Sequence, residues 1–109
     1  MEQAMLLYVL CENTAEAHTI SQMLLTKRLV ACTNVIEKVV SEFFWPPGEK
    51  KLSSSKEVLL LAKAIETKWP EIEKEILAIH SYDNPAIAAL PLLHVTKKYY
   101  DWMMSEINL

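Results

Sequence analysis

Four runs rich in apolar and β-branched residues are spaced along the 109-residue chain, and the first of them has no helical period. Such runs predict buried strands. Glu37-Lys38 interrupts the second run, which predicts a bulge there. Pro46-Pro47-Gly48 follows it and predicts a reversal of the chain. The predicted strands cover residues 5–11, 30–45, 57–65 and 86–90.

Amphipathic stretches separate these runs. Asn13, with Glu16 three residues later, predicts the start of a helix that ends near Leu29. Thr67 and Thr96 begin two further stretches in which apolar side chains recur every three or four positions. We therefore expect three helices.

The predicted element order is β-α-β-β-α-β-α. Right-handed crossovers and a central hairpin fold such a chain into an α+β protein, a ferredoxin-like βαββαβ sandwich with an extra C-terminal helix. We expect a single domain over residues 1–109. A second strand of about 15 residues spans ~50 Å, whereas a domain of this size has a radius of gyration of ~13 Å. The hairpin must then overhang its own subunit with Phe43, Phe44 and Trp45 near its tip, which predicts pairing with other chains.

Composition excludes several classes of protein. The net charge of −3 argues against a nucleic-acid partner, and Gly48 is the only glycine, too few for a phosphate-binding loop. The longest apolar run falls far short of the ~20 residues that span a bilayer, so we expect no membrane span and a soluble, cytoplasmic protein. No activated nucleophile or acid–base pair can be assigned, and we expect the protein not to be an enzyme.

The two cysteines lie at opposite ends of the predicted sheet. Cys11 ends the first strand, and Cys32 begins the second strand, which runs parallel to the first. A separation beyond the ~7 Å limit between Cα atoms excludes a disulfide within the chain. Both side chains fit small buried residues, but Cys11 at a strand end is also placed to offer a thiolate to a soft metal.

Lys63 and His80 are polar residues in unusual positions. Lys63 interrupts an apolar strand, where it either pairs with Asp83 or Glu57 or anchors an anionic ligand. His80 ends the second helix just before the polar turn that contains Tyr82 and Asp83. There it is either a charge partner of the helix end or part of a ligand site.

Three segments together resemble the CutA family, which is named for divalent-cation tolerance. Residues 27–34 (KRLVACTN) are similar to its signature after the first helix, and 43–49 (FFWPPGE) to its hairpin tip. Glu57-Val58 with Lys63, followed by 80–87 (HSYDNPAI), resembles its third motif.

The resemblance implies a homotrimer of ferredoxin-like subunits in which long hairpins extend the sheets of neighbours. It also implies copper or another divalent cation as a cofactor, with Cys11 and His80 as ligands and a role in the response to metal ions. Ala86 stands where some members place a further carboxylate, which leaves two of the three suggested ligands.

We expect a metal ion or small molecule to bind in clefts between the subunits. The sequence predicts that Trp45, Lys63, His80, Tyr82 and Asp83 line each cleft. Two other functions fit the same residues. One is a structural trimerisation module that anchors a partner protein, and the other is a signalling trimer of the PII type that senses a small anion.

Overall fold

The computed structural model of the chain describes residues 1–108. Strands and helices follow one another in the predicted order, with a 3₁₀ turn at Glu66–Lys68 before the second helix. None of the described helices has the length and apolar character needed to cross a membrane. The elements are β1 (Ala4–Cys11), α1 (Thr14–Thr26), β2 (Cys32–Phe44), β3 (Leu52–Ile65), α2 (Trp69–Ile79), β4 (Ile87–Pro91) and α3 (Lys97–Ile107).

The four strands form one sheet in the order β2-β3-β1-β4. Each neighbouring pair is antiparallel, so β1 and β2 point the same way on either side of β3. Cys11 lies opposite Val58 and Cys32 lies opposite Lys63. Both thiols are free, and they lie at opposite ends of the sheet as predicted. The α+β class and the antiparallel sheet are confirmed.

Side chains of β1 alternate between the two faces of the sheet, as the period of a strand requires. One face is fully buried against α1 and α2, and it carries the main apolar core. The opposite face holds Leu6, Tyr8 and Leu10, which are only half-buried. The main core includes Met5, Leu7, Val9 and Cys11 of β1, Leu60 and Ala62 of β3, and Ile20, Leu24, Ile72 and Ile76 of the helices.

Different interactions define the start and the end of α1. At the start, Asn13 Oδ1 accepts a hydrogen bond from the Glu16 N–H at 2.9 Å, which confirms the predicted cap. The helix ends at Thr26, earlier than the predicted Leu29. Arg28 adopts a left-handed conformation with φ of 56°, and the Leu29 N–H then closes back on the Leu24 carbonyl at 3.0 Å. This hydrogen bond satisfies one of the free carbonyls at the helix end.

The β2–β3 hairpin is the longest feature of the molecule. The register shifts between Ile36 and Val39, where Lys38 has φ of 64°, which confirms the predicted bulge. The strand β3 begins at Leu52, five residues before the predicted start at 57, because its polar first residues pair with β2 up to Phe44. The protein is 47 Å long and 26 Å wide, with a radius of gyration of 15.0 Å. On β3 the residues before Val58 pair with β2 but not with β1, so the hairpin extends beyond the end of β1.

A second, smaller apolar cluster lies at the end of the sheet opposite the hairpin tip. There α3 packs Met103 and Ile107 against Ala4, Ala31 and Ile65. An ion pair between Arg28 and Glu106, 3.1 Å apart, joins the end of α1 to α3.

Candidate functional site

An open groove of about 700 Å³ lies between the hairpin and the loop that connects α2 to β4. We call it the hairpin groove. Aromatic rings of the hairpin form one wall, and the residues after α2 form the other. The residues that line it include Phe43, Trp45, Glu57, Tyr82, Asp83 and Asn84. A second cavity of about 500 Å³, beside the first residues and α3, contains none of the predicted site residues.

Glu57 is the most unusual residue of the hairpin groove. Only 7 % of its surface is exposed, although it is charged, and it lies on β3 facing the groove. Within residues 1–108 its carboxylate forms no ion pair with a lysine, arginine or histidine. A buried charge costs free energy unless it is paired. The sequence reasoning did not place Glu57 in the cleft, although a carboxylate at the start of an apolar run was a usable signal.

Tyr82 lies next to Glu57 and covers His80. Burial raises the pKa of the Tyr82 hydroxyl to about 12, and the Glu57 carboxylate contributes to the same rise. The hydroxyl is therefore protonated at neutral pH. The rings of His80 and Tyr82 lie 5.0 Å apart between centroids, tilted by 48°.

The side chain of His80 is fully buried behind the hairpin groove. Its Nε2 lies 2.8 Å from the carbonyl oxygen of Leu10, which can only accept, so Nε2 carries the proton. Its Nδ1 accepts a hydrogen bond from the Tyr82 N–H at 3.0 Å. Both ring nitrogens therefore have a hydrogen-bond partner.

Glu16 lies beside His80, and sequence reasoning missed this contact. Its carboxylate lies 3.9 Å from His80 Nδ1 and accepts hydrogen bonds from the backbone N–H groups of Glu12, at 2.9 Å, and Ser81, at 2.8 Å. Burial alone would raise the pKa of Glu16. The hydrogen bonds and the nearby His80 outweigh burial, and the pKa lies below its usual 4.5.

Cys11, Glu16 and His80 offer sulfur, oxygen and nitrogen atoms within 4.8 Å of one another. This donor set suits a transition metal. The donors are already in use, however. Burial, with Glu16 and Glu57, raises the pKa of the Cys11 thiol to about 12, and hydrogen bonds occupy His80 and Glu16. As it stands, the cluster does not fit a metal ion without loss of these hydrogen bonds and of the thiol proton.

Lys63 lies at the other end of the sheet. It is opposite Leu6 on β1, four residues before Leu10 at the groove, which corresponds to ~13 Å along the strand. Its Nζ is 4.0 Å from Cys32 Sγ and 5.9 Å from the centre of the Tyr99 ring. Within one chain Lys63 therefore neither lines the hairpin groove nor pairs with Glu57 or Asp83.

Tyr99 completes this separate cluster. Its hydroxyl lies 3.2 Å from Cys32 Sγ. The contact with Cys32, together with burial, raises the pKa of Tyr99 to about 12. The structure thus brings Trp45, Tyr82 and Asp83 together in the hairpin groove, places His80 behind them, and separates Lys63 from all four.

These features define an α+β protein with a four-stranded antiparallel sheet, whose long hairpin forms one wall of an open groove. A sequence model of the CutA1 divalent ion tolerance protein family matches residues 5–106. The chain belongs to this family, which confirms the resemblance seen in its motifs. The name of the family refers to tolerance of divalent ions and not to a catalysed reaction.

Curated relatives match over nearly their whole length. The divalent-cation tolerance protein CutA of Archaeoglobus fulgidus is 33 % identical over 102 residues, which are 94 % of this chain and 96 % of the relative. That of Thermus thermophilus is 32 % identical over 103 residues, again 94 % of this chain and 95 % of the relative.

Solved structures agree with the fold. The crystal structure of the divalent ion tolerance protein CutA1 from Ehrlichia chaffeensis superposes with a TM-score of 0.91 at 27 % identity, over 100 % of this chain and 99 % of that one. The periplasmic divalent cation tolerance protein CutA from Archaeoglobus fulgidus gives a TM-score of 0.89 at 30 % identity, over 95 % and 98 %. Since that neighbour is described as periplasmic, the cytoplasmic location expected for this chain stays a prediction.

Proposed function

We propose that the protein is a non-enzymatic, ferredoxin-like homotrimer of the divalent-cation-tolerance type, whose hairpin groove binds a small ligand at the cleft between subunits. One observation carries this proposal: three of the five predicted cleft residues, Trp45, Tyr82 and Asp83, line the same groove. A volume of about 700 Å³ lies in the range of small-molecule sites.

Exposed apolar surface supports assembly. Val40 is 62 % exposed, Phe44 52 % and Trp45 54 %, all on the part of the hairpin that extends beyond the end of β1. An extended hairpin with exposed apolar side chains is prone to pair with another chain. Pairing in a trimer would cover these side chains and bring a neighbouring subunit to the mouth of the groove.

The oligomeric state can be tested with native mass spectrometry and size-exclusion chromatography with light scattering. We expect a trimer mass for the unaltered chain. Val40→Lys, which puts a charge on the hairpin, should shift the population towards smaller species. Leu77→Lys changes an exposed leucine on α2 in the same way and should leave the trimer intact. A monomer at micromolar concentration would contradict the proposal.

A metal ion at Cys11, Glu16 and His80 is the second candidate, favoured by the 4.8 Å cluster of three donor types. Because the Cys11 thiol is protonated, binding would release a proton and strengthen as the pH rises. Titration with Cu(I) should then give weaker binding to Cys11→Ser and His80→Ala than to the unaltered chain. Cys32→Ser is the matched control, since Cys32 lies at the other end of the sheet. Equal affinity in all variants would eliminate this site.

A further inference from the structure

We propose that the hairpin groove selects a positively charged organic ligand, an amine or ammonium ion, rather than an anion. This inference rests on the proposed function, since it names the class of ligand for the same groove. It differs from the expectation that Lys63 anchors an anion there, since the Lys63 of the same chain lies at the far end of the sheet.

The charge of the groove carries the argument. Glu57 and Asp83 line it, and none of the lining residues that the structure describes is a lysine, arginine or histidine. Glu57 is more than nine-tenths buried and has no cationic partner within residues 1–108. Placing a carboxylate there costs folding free energy, and a bound cation would offset that cost. An anion would instead meet an uncompensated negative charge.

The aromatic rings that line the groove favour an organic cation over a hard divalent metal ion. Phe43, Phe44 and Trp45 of the hairpin and Tyr82 of the opposite wall border the same space. The faces of such rings attract ammonium groups, and rings with a carboxylate are a recurring way to bind them. Hard divalent cations instead require six or more oxygen ligands, which a wall of rings does not supply.

The polar neighbour of Glu57 does not neutralise it. The Tyr82 hydroxyl is a polar group without a positive charge, so it does not compensate the Glu57 carboxylate. Tyr82 offers both a ring face and a hydroxyl to a ligand.

Three probes of matched shape test the sign of this selection: n-butylammonium, n-butanol and butyrate. Binding can be followed by isothermal titration and by the indole N–H signal of Trp45 in two-dimensional NMR, assigned with a Trp45→Phe variant. We expect n-butylammonium to shift the Trp45 signal saturably and to bind at least about tenfold more tightly than n-butanol, as a charge-assisted hydrogen bond allows. Butyrate should not shift it.

Glu57→Gln removes the charge while keeping the shape of the side chain. It should lower the affinity for n-butylammonium about tenfold or more. Glu42→Gln is the control, because Glu42 lies on the same strand as Phe43 but on the opposite face, and it should leave the affinity unchanged.

The outcomes separate this inference from the function on which it rests. If the chain is trimeric and butyrate binds at Trp45 more tightly than n-butylammonium, the groove is a ligand site but the charge inference is wrong. If Glu57→Gln weakens the trimer and no probe binds, the groove holds a basic side chain of a neighbouring copy, and the inference is again overturned. If the chain is monomeric and no probe binds, the proposed function also fails.

Discussion

The imidazole of His80 and the backbone of Leu10 are joined by a hydrogen bond of 2.8 Å between Nε2 and the carbonyl oxygen. The Leu10 N–H in turn donates to the Ala86 carbonyl at 3.1 Å. Both backbone groups of one β1 residue therefore hold the loop after α2, at its start and at its end. The wall of the hairpin groove that carries Tyr82 and Asp83 is positioned by these bonds.

Loss of the His80 ring should destabilise the protein. His80→Ala leaves the Leu10 carbonyl and the Tyr82 N–H without partners and opens a cavity, and we expect the free energy of unfolding to fall by about 2–3 kcal/mol. Urea denaturation at one fixed protomer concentration measures it, since assembly makes stability concentration-dependent.

His18→Ala provides the control, because His18 is exposed on α1 and should change the free energy of unfolding by less than about 0.5 kcal/mol. Equal effects of the two substitutions would show that the His80 hydrogen bonds contribute nothing measurable.

The stability should depend on the charge of Glu16. Its pKa in the folded protein lies below the 4.5 of the unfolded chain, so its contribution is present above 4.5 and is lost as the pH falls through the lower, folded value. Glu16→Gln cannot gain or lose this charge, and it weakens the hydrogen bonds from Glu12 and Ser81, at a cost of about 1 kcal/mol at neutral pH.

Chemical denaturation from neutral pH down to the acid range tests this prediction. The difference between the unaltered protein and Glu16→Gln should shrink as the pH falls. A difference that stays constant with pH would contradict the assignment of a lowered pKa to Glu16.

The order of strands and helices could be predicted because each rests on local signals. Residues that are close in sequence determine the apolar run of β1, the Asn13 cap and the bulge at Glu37-Lys38. The start of β3 could not be predicted in this way. Its first residue, Leu52, is followed by three serines, and these residues are in a strand only because β2 pairs with them across the hairpin.

Part of the lining of the hairpin groove follows from local signals of the same kind. Trp45, Tyr82 and Asp83 come from two turns that the topology brings together. The contacts of Lys63 within its own chain could not be predicted from local signals. Its neighbours, Cys32 and Tyr99, come from β2 and α3, and the register that joins them follows from pairing along the whole hairpin. Glu16 was recognised as a helix-capping residue, but its contact with the Ser81 N–H spans 65 positions of sequence.

The bulge at Lys38 should prefer glycine. A residue other than glycine with φ of 64° is strained by about 1–2 kcal/mol, which glycine avoids. We therefore expect Lys38→Gly to be at least as stable as the unaltered chain, and Lys38→Val to be less stable by about 1–2 kcal/mol because its branched side chain resists this conformation.

Lys56 is the matched control, since it lies on β3 opposite Val40 in extended backbone. There the order should reverse, with valine tolerated and glycine destabilising by about 0.5–1 kcal/mol. The four variants can be compared by thermal unfolding at one protein concentration. The same order at both positions would refute a left-handed Lys38.

Cys11 should be nearly inert in the folded protein. It has no exposed surface, and burial raises the pKa of its thiol from 9.0 to about 12, which lowers the thiolate fraction at neutral pH about a thousandfold. In a Cys32→Ser chain, which keeps Cys11 as its single thiol, reaction with iodoacetamide should be at least that much slower in buffer than in concentrated urea. The matched Cys11→Ser chain retains the half-buried Cys32 and corrects for the effect of urea on the reagent itself. Rapid labelling of folded Cys32→Ser would mean that Cys11 presents an available thiolate, which would favour the metal site at Cys11, Glu16 and His80 over a cluster held together by hydrogen bonds.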